Sequence, residues 1–188
     1  MIALTPLDCR QMFEDMHPGF FQREYIASLP PESVFAEMVL DLPGFSPDQK
    51  KIPVPEGISF GFYRGSHEKL LEAVASVVAS WQPYYRKDAR VFCAMNQDQI
   101  ASFCIVEPMG AWRGLRIGGP GCVGTVPAYR RQGIGLKMVQ QVTGILKAEG
   151  YDISYIHFTG VASWYSKLGY QTILTWNSRG ILSASPLP

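Results

Sequence analysis

The segment with the clearest potential for chemistry is V-G-T-V-P-A-Y-R-R-Q-G-I-G, residues 123–135. A β-rich run ends at a proline, passes an arginine pair and reaches a helical pattern through Gly133 and Gly135. The first amides of a helix lack intrahelical partners and carry partial positive charge, so they bind phosphate groups. Glycine lets the backbone approach such a ligand closely. The segment therefore predicts an anion site at a helix start, where Arg130 and Arg131 would add positive charge.

This arrangement resembles the acyl-CoA signature of the GNAT superfamily, Q/R-x-x-G-x-G/A after a strand that ends V-x-P. Arg130, Gly133 and Gly135 match it, and Thr125 stands where the family usually has valine. The resemblance implies acetyl-CoA as co-substrate, with its diphosphate on the helix amides and its pantetheine arm paired along the strand. The cofactor-binding residues that it implies are Val123, Gly124, Thr125, Val126, Arg130, Arg131, Gln132, Gly133, Ile134, Gly135 and Leu136.

A second segment, A-S-W-Y-S-K-L-G-Y at residues 162–170, is similar to the Y-x-K-L-G-F ending of the same family. The resemblance implies that Tyr165 lies by the departing sulfur and acts as general acid. A phenol with a pKa of about 10 can protonate or hydrogen-bond a developing thiolate. The alternative interpretation is a half-buried aromatic residue that anchors a short helix.

Acyl transfer to an amine also requires that the amine lose a proton. Glu107, at the end of a predicted strand, and His157, near the end of another, are weak candidates for the base, and Asp152 is a third. For each of them the alternative is a solvated or structural role. Deprotonation through water would also serve, and direct transfer needs no covalent nucleophile. We therefore interpret Cys122, beside the predicted cofactor strand, as a packing residue.

Composition narrows the class of protein. The chain has 188 residues and a formal net charge of +1, which gives no long-range attraction to nucleic acid or to an anionic membrane. The four cysteines form no C-x-x-C, and the three histidines have no metal-ligand spacing, so we expect no metal. The sequence has no recognisable secretory signal and no apolar run of about 18 residues, so we expect a cytoplasmic protein.

Two regions differ in their patterns. Residues 1–57 carry many prolines between short helical patterns, and residues 58–184 alternate between strands and helices. The predicted helices are Pro6–Met16 capped by Thr5, Glu32–Leu42, a helix from Ser66 towards Pro83, Gly135–Glu149 and Ala162–Leu168. The predicted strands are Ile58–Tyr63, Arg90–Met95, Ile100–Val106, Cys122–Val126, Tyr151–Phe158, Gln171–Trp176 and Gly180–Ala184.

Pattern and resemblance together predict an α/β (α+β) fold: a GNAT-like acyltransferase domain over residues 58–188, with a mixed, mostly antiparallel sheet of six or seven strands. Residues 1–57 would be an N-terminal helical extension or lid. The predicted activity is transfer of an acetyl or short acyl group from acetyl-CoA to a primary amine of a small molecule or peptide. The alternative is an acyl-CoA-binding sensor without catalysis, and a homodimer is compatible with the resemblance.

Overall fold

The computed structural model describes residues 3–48 and 50–187. Positions 1, 2 and 49 of the predicted N-terminal extension and position 188 of the predicted acyltransferase domain lie outside the described residues. The described residues form five α-helices and eight β-strands. The helices are α1 Pro6–Met16, α2 Glu24–Ala27, α3 His67–Val78, α4 Ile134–Ala148 and α5 Ala162–Tyr165. The strands are β1 Phe35–Asp41, β2 Ile58–Phe62, β3 Val91–Asn96, β4 Gln99–Trp112, β5 Leu115–Thr125, β6 Ile153–Thr159, β7 Gln171–Asn177 and β8 Gly180–Ala184.

The strands form one sheet in the order β2-β3-β4-β5-β6-β1-β7-β8. Antiparallel registers join β2 to β3, β3 to β4, β1 to both β6 and β7, and β7 to β8. Strands β5 and β6 are parallel, and their register pairs Ile117 with Ile153 and Gly118 with Ser154. The α+β class, the mostly antiparallel sheet and the N-terminal helix are confirmed, and the sheet has eight strands.

The additional strand corrects one prediction. The segment Glu32–Leu42 was expected to be helical because Val34, Met38 and Leu42 lie four residues apart. Instead, the structure has β1 there, with a buried centre. A spacing of four fits both periods, since the even positions from 34 to 42 are all apolar and a strand places alternate residues on one face. The β-branched and aromatic residues at its start also favour a strand.

The described residues divide into two compact units. The first contains the described residues up to Phe45, Met109–Gly118 and the residues from Gly150 on. Helix α1 has the predicted bounds, and Thr5 and Asp8 cap it reciprocally. Its buried face joins a core rich in aromatic residues, in which Phe20 lies edge-on to Trp176 with 4.8 Å between the ring centroids.

The second unit contains Ser46–Pro108 and Gly119–Glu149. Helix α4 begins at Ile134, one residue before the predicted start, and buries a nearly complete face. The proline-rich segment after Ser46 runs along this helix, because the Gln140 amide donates to the Lys50 carbonyl over 2.8 Å. Among the described residues, no helix is both long and apolar enough to cross a bilayer.

Candidate active site

The turn between β5 and α4 is exposed at Arg131 and Gln132, just before the buried first residues of α4. Gly133 precedes the helix with a left-handed φ of 77°, and no side chain from the described part of the chain caps it. Arg131 is also left-handed, with a φ of 61°, and both Arg131 and Gln132 are exposed. Left-handed residues before a helix turn successive amide groups towards one concave side, which is a common anion-binding geometry. The geometry fits the anion site that the sequence predicts.

The side chains next to this turn point away from the helix amides. Arg130 donates from Nε to the Thr125 carbonyl over 3.1 Å. Gln132 donates from Nε2 to the Ala128 carbonyl, also over 3.1 Å. Both side chains therefore satisfy carbonyl groups on the strand side of the turn. The start of α4 is left with amides that neither of these two side chains satisfies.

Gly133 is needed for a reason that the sequence did not reveal. A Cβ atom at this position would lie 2.4 Å from the carbonyl oxygen of Pro53, and the positive φ already disfavours any side chain. The sequence predicted glycine here for close approach to a bound diphosphate and for backbone dihedrals that a side chain forbids, and the positive φ confirms the second reason. In the structure, the chain's own backbone at Pro53 occupies the space on that side of Gly133.

Strand β5 is irregular near its end. Cys122 has a left-handed φ of 47°, and its carbonyl accepts a hydrogen bond of 2.5 Å from the Tyr85 hydroxyl. Tyr85 is fully buried and lies edge-on to Phe103. A buried phenol thus fixes the carbonyl direction of the residue just before Val123, where the predicted cofactor segment begins.

The following residues of β5 are held from the side of β4. Gly124 lies against the Phe103 ring, and a Cβ atom there would be 2.4 Å from that ring. The Gly124 carbonyl accepts a hydrogen bond of 2.6 Å from the buried Ser102 hydroxyl, which also lies 3.0 Å from the hydroxyl of Thr125. Gly124 and Thr125 are therefore held against β4 within the second unit.

Glu107 lies next to this strand. It is exposed on β4, and its Oε2 atom would be 2.7 Å from a Cβ atom at Gly121. Burial raises the pKa of the Cys122 thiol to about 11, and the Glu107 charge contributes to the same shift. The thiol is therefore protonated at neutral pH, which agrees with the interpretation of Cys122 as a packing residue.

Tyr165 is the last residue of α5 and belongs to the first unit. Its side chain is buried, and its ring lies edge-on to Trp164 at 4.8 Å and inclined to Tyr170 at 5.9 Å. The short helical segment continues as a 3₁₀ turn to Leu168 and ends at Gly169, as the sequence predicted. The aromatic contacts fit the anchoring interpretation and leave the catalytic interpretation as a prediction.

His157 belongs to a different cluster in the first unit. Its Nδ1 atom lies 2.9 Å from Oε2 of Glu37, and its ring stacks on His17 with centroids 3.9 Å apart. Glu37 is fully buried in β1 and also accepts hydrogen bonds from the Trp176 indole and the Phe158 amide. Burial lowers the pKa of His17 to about 3, and the charges of His157 and Arg23 lower it further. His17 is therefore a neutral imidazole at pH 7.

The structure thus assigns the predicted site residues to two separate groups. Glu107 and the cofactor residues from Val123 to Leu136 belong to the second unit, and Tyr165 and His157 belong to the first. Sequence reasoning missed Tyr85 and Glu37. The sequence around Tyr85 carries no pattern that indicates its hydrogen bond to the Cys122 carbonyl. Glu37 was hidden by the helix prediction, although a lone carboxylate in an apolar strand pattern is a signal of a buried polar role.

A groove of about 440 Å³ runs along the edge strand β2 and the start of α3. It is lined by Phe60, Phe62, Tyr63 and Lys69 among others, and contains none of the predicted catalytic or cofactor residues. We therefore assign no role in catalysis to it.

Part of the sequence matches the model of a known protein family. Residues 87–172 match the family model described as "Acetyltransferase (GNAT) domain". The sequence matches no curated protein at a significant level.

Solved structures share the fold at low sequence identity. A GCN5-related glucosamine N-acetyltransferase region of a fungal multi-domain GH3 β-N-acetylglucosaminidase has a TM-score of 0.64 and 20% identity, covering 77% of this chain and 20% of that one. A GCN5-related N-acetyltransferase from Sphaerobacter thermophilus has a TM-score of 0.55 and 18% identity, covering 93% and 56%. One from Kribbella flavida has a TM-score of 0.52 and 15% identity, covering 89% and 71%.

These likenesses show the fold alone. The chain spans one fifth of the length of the fungal protein and just over half of the length of the Sphaerobacter protein.

Proposed function

We propose, because residues 87–172 match the model of the GNAT acetyltransferase domain, that the protein transfers an acetyl group from acetyl-CoA to a primary amine. The observation that carries this proposal is the start of α4: Gly133 and Arg131 are left-handed, and no described side chain caps the helix. We assign the diphosphate of acetyl-CoA to the amides of residues 131–136, with Arg131 as a nearby positive charge.

The pantetheine arm is assigned to the backbone of β5. The register of β5 with β6 ends at Gly118, whereas the strand itself continues to Thr125. The pantetheine arm carries two amide groups, which can hydrogen-bond to the backbone N–H and C=O groups of β5 that follow Gly118. The hydrogen bond from the Tyr85 hydroxyl to the Cys122 carbonyl supports this assignment. It fixes the backbone of Cys122, next to which the thioester end of the arm would lie.

The chemical step follows from this placement. The amine nitrogen attacks the thioester carbonyl, the nitrogen–carbon bond forms, and the carbon–sulfur bond breaks as coenzyme A leaves. Glu107, directly or through water, would take the proton from the amine. Tyr165 keeps the role that the family resemblance implies, a general acid towards the departing sulfur. We prefer Glu107 over His157 as the base, since Glu107 is exposed and His157 is bonded to Glu37.

An acceptor screen tests the activity. The purified chain is incubated with acetyl-CoA and, separately, with a polyamine, glucosamine, lysine and a peptide with a free amino terminus, and released thiol is measured. We expect at least one amine to accelerate thiol release above the amine-free rate and to gain the mass of one acetyl group. Binding of acetyl-CoA with no acceleration by any amine would instead favour the acyl-CoA sensor.

A further inference from the structure

Glu37 is a buried carboxylate at an irregular point of the sheet. Between Ala36 and Met38 the register of β1 with β6 shifts, so that Glu37 faces both His157 and Phe158. Phe158 has a left-handed φ of 55°, which is rare for a residue with a large side chain. Strand irregularities of this kind redirect side chains and concentrate near functional sites. The irregularity aims the Glu37 carboxylate and the His157 ring at each other.

One polar atom of this cluster, Nε2 of His17, is buried without a hydrogen-bond partner among the described residues. The fully buried Tyr155 phenol lies within hydrogen-bonding reach of the Glu37 carboxylate. Buried polar groups are nearly always satisfied, so an unsatisfied imidazole nitrogen next to a buried carboxylate indicates a missing ligand.

The donor atoms define the chemistry of that ligand. One donor atom each from His17, Glu37 and His157 lie within 4.8 Å of one another. Two imidazoles and one carboxylate are a frequent ligand set for zinc, and three protein ligands leave one position of a tetrahedral site open. The His157 side chain is 24% exposed, so an ion can reach the cluster from solvent.

We propose that His17, Glu37 and His157 bind one divalent transition-metal ion, for which zinc is the best match, with a water molecule or small ligand in the fourth position. Donor atoms around a tetrahedral zinc lie about 3.4 Å apart, as bond lengths of 2.0–2.1 Å require. The rings of His17 and His157 stack 14° from parallel with centroids 3.9 Å apart, so the imidazoles must rotate out of this stack about their side-chain bonds to aim both in-plane lone pairs at one ion.

The bound ion would connect three elements of the first unit. His17 is the residue that ends α1, Glu37 lies in β1, and His157 lies in β6. Trp176 and the Phe158 amide, which hydrogen-bond to the other oxygen of Glu37, would orient the carboxylate as outer-shell partners. Metal binding is therefore expected to hold the end of α1 against the sheet, independently of acetyl transfer.

Zinc binding to a tag-free, chelator-stripped chain tests the proposal. We expect one Zn²⁺ per chain by competition with a chelating indicator, and a rise in melting temperature when Zn²⁺ is added. His17→Phe keeps the aromatic packing and removes the unsatisfied nitrogen, so its metal-free melting temperature should be unchanged or higher. It should bind Zn²⁺ at least about 100-fold more weakly, the upper end of what loss of an outer-shell partner costs.

Glu37→Gln is the second variant and should weaken binding similarly while it retains the shape of the carboxylate. His67→Gln is the matched control, because His67 lies in the second unit and bonds to the Tyr85 carbonyl. Co²⁺ in place of Zn²⁺ should give no thiolate charge-transfer band. Equal affinity in His17→Phe, loss of binding in Cys122→Ser instead, or a crystal structure with water at the cluster after Zn²⁺ soaking would each overturn the proposal.

Discussion

At the scale of single residues, left-handed backbone is concentrated at the candidate sites. Five described residues other than glycine have a positive φ. Gln97 and Arg113 lie in the tight turns between consecutive strands, where such conformations are common. The other three are Cys122 and Arg131 in the proposed acetyl-CoA site and Phe158 beside Glu37. Non-glycine residues keep such conformations only where their surroundings enforce them, so all three are compatible with the proposed sites.

Tyr165→Phe tests the proposed general acid. Phenylalanine keeps the ring contacts with Trp164 and Tyr170, so the fold and acetyl-CoA affinity should be retained. Loss of the phenol should lower kcat about 100-fold, because a positioned acid contributes at least that much. The measurement is steady-state thiol release with the best acceptor from the screen, alongside a binding titration.

Tyr170→Phe is the matched control for that variant. The Tyr170 hydroxyl lies 2.7 Å from the Ser154 hydroxyl, and both residues are buried. Its removal should cost about 1 kcal/mol of folding stability, a typical value for one hydrogen bond, and should leave kcat unchanged below the melting transition. An equal loss of kcat in both variants would show that Tyr165 only anchors the helix.

At the scale of elements, the prediction from sequence succeeded where local signals agree and failed where they conflict. Helix α1 was predicted with its correct bounds because Thr5 and Pro6 both mark a helix start, and the structure adds Asp8 as the reciprocal partner of the cap. Segment 35–41 was missed because a four-residue spacing satisfies a helix and a strand equally. The cluster of His17, Glu37 and His157 could not be predicted, since His157 and Glu37 are 120 residues apart and meet only through sheet pairing.

The start of α4 gives a test at this scale. Gly133→Ala would force a side chain into a left-handed conformation and against the Pro53 carbonyl. We expect it to lower the free energy of unfolding by at least about 2 kcal/mol, from backbone strain and overpacking together. The measurement is urea unfolding of the purified variant.

Gly144→Ala provides the matched comparison within the same helix. Its Cβ atom would lie 3.5 Å from Pro47, an ordinary contact, at an interior helical position. Alanine there should stabilise the protein by about 0.5–1 kcal/mol. A Gly133→Ala variant as stable as the Gly144→Ala variant would contradict the close packing of Gly133 on Pro53.

At the scale of the whole molecule, the formal net charge of +1 means that any recognition of acyl-CoA depends on local features of its site. The chain carries 17 basic and 16 acidic residues, so its overall field attracts a polyanionic co-substrate only weakly. In the proposed site, recognition would then come from the amides of α4 and from the nearby exposed Arg131. The sequence predicted this position because its glycine and arginine spacing is local, whereas the acceptor pocket carries no such local pattern and could not be predicted.

The most direct test of the central claim is an acetyl-CoA titration of the native chain, Gln132→Glu and the control Gln171→Glu. Gln132 is exposed beside the start of α4, where a new carboxylate stabilises the helix but repels a diphosphate. Gln171 is exposed on β7 and receives the same charge. We predict affinity about tenfold weaker in Gln132→Glu, equivalent to about 1.4 kcal/mol, and unchanged in Gln171→Glu. Equal affinity for acetyl-CoA in all three proteins, or no binding by the native chain, would contradict the account.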